Sequence, residues 1–149
     1  MTLHPQTQFQ LQVEPKKNKK RIFPQIMIVD DDIEFLEELK DFLSFNYEVK
    51  AVSDSAQAFD MVYELKPDLI IMDIKMSPKT GFQLANEFRN FEGTKHIPII
   101  AITGVFIEKE HSLMMKLIGM KHILIKPFNL GKLLDVIEGI LKETKPRWV

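Results

Sequence analysis

The sequence predicts an α/β fold: a doubly wound, five-stranded parallel sheet with five helices. Three observations predict it. Short continuous apolar runs recur, as they do in strands buried on both faces; among them are Ile26-Met27-Ile28-Val29, Leu69-Ile70-Ile71-Met72 and Ile97-Pro98-Ile99-Ile100-Ala101-Ile102. Segments with apolar residues at helical spacing separate these runs. The strand–helix alternation continues to the end of the chain, which implies right-handed crossovers with helices on both faces of the sheet. A length of 149 residues suits one domain, and 45% hydrophobic residues suffice for an ordinary core.

The elements can be justified in order. Residues 1–24 hold Pro5, Pro15, Pro24 and the basic run Lys16-Lys17-Asn18-Lys19-Lys20-Arg21, with no period of 2 or 3.6. They are read as a flexible basic N-terminal arm, a solvated tail rather than a nucleic-acid or acidic-lipid patch. The folded part starts at Gln25 with the first strand, which runs into Asp30, Asp31 and Asp32. A helix follows, with Ile33, Leu36, Leu39 and Leu43 on one stripe, and acids at its start suit the helix dipole. Residues 47–52 alternate polar and apolar, as a half-open edge strand does. Ser53-Asp54-Ser55 can cap a helix carrying Ala58, Phe59 and Val62, and Lys66-Pro67-Asp68 ends it.

The third strand, Leu69 to Met72, closes on Asp73 and is followed by the turn Ser77-Pro78-Lys79-Thr80-Gly81. Phe82, Ala85 and Phe88 mark the third helix, and the fourth strand ends in Thr103-Gly104, with Pro98 near its start where a missing donor matters least. A fourth helix falls between 107 and 118. Ile123-Leu124-Ile125 is a short strand ending in Lys126-Pro127, and Leu130, Leu133, Leu134, Ile137 and Leu141 form the last helix, over by Lys142. The expected organisation is a basic arm over 1–24, one domain over 25–142 and a tail over 143–149.

Composition narrows the function classes. A formal net charge of −1 gives no global electrostatic case for nucleic acid or an acidic membrane. The absence of Cys excludes disulfides, thiolate catalysis and Cys-ligated metal. No apolar run approaches the roughly 20 residues that span a bilayer, and no secretory signal opens the chain; a cytoplasmic protein is expected. No Gly-rich Lys-Ser/Thr loop is present, which excludes a P-loop nucleotide enzyme. His4, His96, His111 and His122 show no ligand spacing, and the eight Met read as core fillers.

Chemistry gathers at the strand ends. In a doubly wound sheet the carboxyl ends of adjacent strands share one edge, so Asp30, Asp31, Asp73, Thr103 and Lys126 can converge. Clustered carboxylates repel one another, and a hard divalent cation such as Mg2+ resolves that repulsion. The lysine adds a fixed positive charge and the threonine a hydroxyl donor. Together these groups suit a phosphoryl group. Asp73, alone on its strand, can serve as nucleophile and form an aspartyl-phosphate.

Four motifs in order, Val29-Asp30-Asp31-Asp32, Leu69 to Met76, Ile102-Thr103 and Ile125-Lys126-Pro127-Phe128, make residues 25–142 resemble the receiver domain of two-component response regulators, of the stand-alone, chemotaxis-regulator-like kind. The resemblance implies a flavodoxin-like sheet of order 2-1-3-4-5. It implies that Asp73 accepts phosphate from a sensor histidine kinase or phosphotransfer protein, in a reaction requiring Mg2+. Asp31 would bind the metal directly, Asp30 through water, and the backbone carbonyl of Lys75 would be a further ligand beside Asp73. Thr103 would bond a phosphoryl oxygen and shift on phosphorylation. Lys126 would pair with the phosphoryl group, held by a cis bond to Pro127. Such a protein catalyses only its own phosphorylation and dephosphorylation and passes the change to a downstream protein. No helix-turn-helix follows residue 142, so no direct DNA binding and no membrane partner are expected, and dimerisation through the last helix region is left open.

Two departures stand out. The loop after the acceptor carries its proline one position late, at Pro78, and Thr80 replaces an acidic residue. Ile123 sits where the family commonly has an aromatic residue. A receiver-like binding module that is never phosphorylated therefore remains an alternative. A phosphohydrolase of another doubly wound family usually needs an acid two residues after the nucleophile, where Lys75 stands. Lys75 and Val105, two after Asp73 and two after Thr103, offer no carboxylate or amide to position a water, so a long-lived phosphorylated state is expected.

Overall fold

The structure, a computed structural model, describes residues 22–104, 109–120 and 122–144. The arm up to residue 21, Val105 and Trp148 lie outside the described residues. In chain order the elements are β1 (Gln25–Val29), α1 (Ile33–Leu43), β2 (Glu48–Val52), α2 (Ser55–Leu65), β3 (Leu69–Asp73), α3 (Gly81–Arg89), β4 (Ile99–Thr103), α4 (Lys109–Leu117), β5 (His122–Ile125) and α5 (Leu130–Glu143). All strand pairs are parallel, in the order β2-β1-β3-β4-β5. This is the doubly wound sheet that the apolar runs and their alternation with helices imply. Residue α5 ends on, Glu143, lies one past the expected stop, and β4 takes in Thr103 itself.

Strand burial follows strand position. β1, β3 and β4 are buried along their whole length, because helices cover both faces. β2, at one edge, alternates exposed and buried residues. Side chains alternate between two apolar layers with the strand period of 2. Met27, Val29, Ile70, Met72 and Ala101 join Ala58, Val62, Leu84, Phe88 and Met115 from α2, α3 and α4. Ile26, Ile28, Leu69, Ile71, Ile100 and Ile102 join Leu36, Leu39, Leu133 and Ile137 from α1 and α5. The same period carries Asp30 and Asp73 onto the α1–α5 side.

The first helix needs one correction. Leu36, Leu39 and Leu43 are buried as expected, but Ile33 is 64% exposed. It is the first residue of α1, beyond the end of the sheet that covers the rest of the stripe. Arg89, not singled out from sequence, ties the far end of the fold together. Its guanidinium donates to the carbonyls of Ile118 at 2.7 Å, Ile97 at 2.8 Å and Lys95 at 3.0 Å, joining the approach to β4 with the exit from α4. Among the described residues every buried side-chain nitrogen and oxygen has a hydrogen-bond partner.

Phe88 anchors the α2–α3 layer: it is fully buried and its ring stacks on Phe59, centroids 6.0 Å apart. Phe88→Ala is expected to cost about 3–5 kcal/mol in denaturant unfolding, the usual range for an aromatic deleted from a core. A loss below that range would show that the layer collapses into the space.

Candidate functional site

The register of the sheet builds the site. Val29 pairs with Met72, so the residues that follow, Asp30 and Asp73, leave adjacent strands side by side. Thr103 pairs with Ile125, and the Lys126 N–H donates to the Thr103 carbonyl at 2.7 Å, which brings the fourth and fifth strand ends together. Carboxylate oxygens of Asp30, Asp31 and Asp73 all lie within 4.8 Å of one another. Lys126 reaches into this group: its Nζ is 2.8 Å from Asp30 Oδ2 and 3.8 Å from Asp73 Oδ2. The Lys126–Pro127 bond is cis, as expected, and so is Ser77–Pro78.

Each acid has a different setting. Asp30 is wholly buried; its Oδ1 accepts from the Asp32 N–H at 2.9 Å while its Oδ2 meets Lys126. Asp31 is exposed at the mouth. Asp32 takes no part in the cluster: it is the N-cap of α1, its Oδ1 accepting from the Phe35 N–H at 3.2 Å. Asp73 is buried at the end of β3, and its Oδ1 accepts from the Lys75 N–H at 3.1 Å. Burial, then the negative charge of Asp30, push the Asp73 carboxyl up to about 6, against the pull of Lys126 and of the Lys75 N–H.

The rebuilt loop fits this setting. The Gly81 N–H donates to the Ile74 carbonyl at 2.8 Å, and a Cβ on Gly81 would lie 2.5 Å from the Asp73 carbonyl oxygen. Only glycine lets α3 begin this close to the end of β3. Thr80 is the N-cap of α3 and forms a reciprocal capping box with Gln83. The Lys79 N–H donates to Ser55 Oγ at 2.9 Å, anchoring the loop to α2. Neither the Thr80–Gln83 box nor the Ser55 contact was singled out from the sequence.

Among the described residues the donors here are oxygens, and three carboxylates stand with the one ammonium of Lys126. That excess negative charge, with Asp31 open to water, fits a hard divalent cation. Thr103 is fully buried at the end of β4, beside Lys126 along the backbone. Ile123 is half-buried, paired with Ala101 and packed on the α2–α4 layer.

The sequence model of the response regulator receiver domain matches residues 26–138. The chain belongs to the response regulator receiver domain family. This receiver domain is 33% identical over 123 residues to response regulator MprA of Mycobacterium tuberculosis, covering 81% of this chain and 52% of that protein. It therefore spans about half the length of the curated relatives it matches. Among solved structures it resembles the chemotaxis response regulator CheY4 of Vibrio cholerae, with a TM-score of 0.72, 28% identity and 79% and 98% of the two chains covered. A two-component response regulator from Clostridium difficile matches with a TM-score of 0.75, 27% identity and 83% and 99% coverage.

The raised Asp73 carboxyl has a consequence for stability. The folded protein holds this proton more tightly than the unfolded chain, so stability from this group is present below about pH 4 and is lost as pH rises through about 6. Without divalent cation, Asp73→Asn is expected to stabilise the fold at pH 7.5, by about 1–3 kcal/mol since one pKa unit is about 1.4 kcal/mol, and to change little near pH 4. Urea unfolding at the two pH values checks this; equal effects at both would contradict it.

Proposed function

We propose that this receiver domain is a phosphorylation-dependent switch of a two-component system, with Asp73 as phosphoryl acceptor and Mg2+ as cofactor. The observation that carries the reading is the setting of Asp73: a buried strand-end carboxylate with two further acids within 4.8 Å and an ammonium 3.8 Å away. The donor is a phosphohistidine of a sensor kinase or phosphotransfer protein. An Asp73 oxygen forms the new bond to phosphorus as the P–N bond breaks, and the electron pair leaves with the imidazole nitrogen. Bound Mg2+ would offset the negative charge of the phosphoryl oxygens, held by Asp31, Asp73 and the Lys75 carbonyl, with Asp30 acting through water.

The protein's own groups do the rest. The Lys75 N–H orients the Asp73 carboxylate. Lys126 supplies positive charge beside it, and the Thr103 hydroxyl donates to a phosphoryl oxygen. The protein acts on itself alone, and the change passes to a downstream protein in the cytoplasm. Leu113, Met114 and Leu117 on α4 and Ile125 on β5 are exposed apolar residues, which suits a protein partner on that side. No direct DNA contact is part of this reading. Ile123, already packed on the core, offers no ring to swing inward, so α4 and β5 must respond to Thr103 by a shift of aliphatic packing.

Phosphoramidate or acetyl phosphate with Mg2+ is expected to add one phosphoryl group by intact mass. Asp73→Asn or removal of divalent cation should abolish the addition. Fresh wild-type protein that takes up nothing would sink the switch and leave a binding module. Once formed, the phosphorylated state should decay over minutes rather than seconds, because the Lys75 side chain cannot position a water as a base; decay within seconds would contradict this.

A further inference from the structure

The Lys126 ammonium has a third neighbour besides its two carboxylates. Its Nζ lies 3.9 Å from the centroid of the Phe35 ring, within the range of a cation–π contact. Phe35 is held from two sides. Its backbone N–H is bonded to Asp32 Oδ1, the cap that starts α1. Its ring meets Phe128 edge-on, with centroids 6.2 Å apart and planes at 82°. The ring thus bridges the first helix and the segment that carries Lys126.

We propose that Phe35 is a positioning residue for Lys126, its ring holding the ammonium between Asp30 and Asp73 so that it faces the phosphoryl group on Asp73. This inference rests on the acceptor role of Asp73. The physical case concerns a long side chain with a demanding task. Lysine has a flexible four-carbon stem and a strongly hydrated head, and here its side chain is 20% exposed. Two unhelpful positions compete for the head: open water and full commitment to Asp30, which is already 2.8 Å away. A third carboxylate in place of Phe35 would pull the ammonium from Asp73 and add to the acid excess. An aliphatic residue would pack there but attract nothing. An aromatic face attracts the cation through its quadrupole while carrying no net charge. It steadies the head, leaves the N–H groups for the oxygens, and does not compete with a phosphoryl group.

Phe35 also packs on the α1–α5 layer, so a test must separate holding the lysine from filling space. Phosphoramidate uptake with Mg2+ is measured by intact mass for wild type, Phe35→Leu, Phe35→Tyr, Lys126→Met and the double variant Phe35→Leu/Lys126→Met. Phe35→Leu should slow uptake about 3- to 10-fold, the scale of a partly desolvated cation–π contact, and Phe35→Tyr should restore it. In the Lys126→Met background Phe35→Leu should have no further effect. A readout independent of phosphorylation uses 13C-labelled lysine: the Lys126 ε-methylene protons, assigned by their loss in Lys126→Met, should resonate upfield in the wild type through the Phe35 ring current. No uptake by the wild type overturns both the acceptor reading and this one. Wild-type uptake with Phe35→Leu equally fast, or with Phe35→Leu slowing the Lys126→Met background just as much, overturns the positioning role alone. A wild-type ε-methylene signal at the ordinary lysine position does the same, even if Phe35→Leu fails to fold.

Discussion

Three carboxylates are forced together at one edge of a parallel sheet, and one ammonium stands among them. The rest of the structure depends on that constraint. Parallel β1 and β3 put Asp30 and Asp73 next to each other whether or not their charges agree. The 2.8 Å contact between Lys126 and Asp30 relieves part of the conflict; among the described residues the other hydrogen bond to the wholly buried Asp30 carboxylate comes from the Asp32 N–H. What remains unrelieved shows in Asp73, whose carboxyl is pushed up to about 6 by burial and by Asp30. A site in this state favours added positive charge.

The surrounding backbone keeps the conflict in place. Gly81 lets α3 start against the carbonyl of Asp73, and Thr80 Oγ1 accepts from the Gln83 N–H in the first turn of that helix. Asp32 does the same for α1, so three consecutive acids divide their labour: a buried partner for lysine, an open acid at the mouth, and a helix cap. On the far end of the sheet Arg89 crosslinks the entry to β4 and the exit from α4 through backbone carbonyls. The strands that deliver Thr103 and Lys126 are thereby tied at both ends, one end by Arg89 and the other by the Lys126 N–H on the Thr103 carbonyl.

The surroundings of the site differ on its two sides. Ile123 fills a half-buried place on β5 opposite Ala101 and packs on the layer that includes Met115 of α4. The aromatic residues near the site lie instead on α1 and after β5, where Phe35 and Phe128 meet edge-on beside Lys126.

The sequence by itself determined the class of fold, because uninterrupted apolar strands are stable only under helices on both faces. It also determined which polar residues meet at one edge of the sheet, since Asp30, Asp31, Asp73, Thr103 and Lys126 each end or follow such a strand, and strand ends of a parallel sheet share an edge. A short local signal carried a cap as well: Asp54 of Ser53-Asp54-Ser55 accepts from the Ala56 N–H at the start of α2. Tertiary structure alone decided the rest. Exposure of Ile33 depends on where the sheet ends, which no helical period records. Arg89 finds its carbonyls 6 to 29 residues away. Lys126 pairs with Asp30 across 96 residues, and Phe35 meets it from a third element. Distances between groups so far apart in the chain arise only when register and packing are settled, and those distances set the charge balance around Asp73.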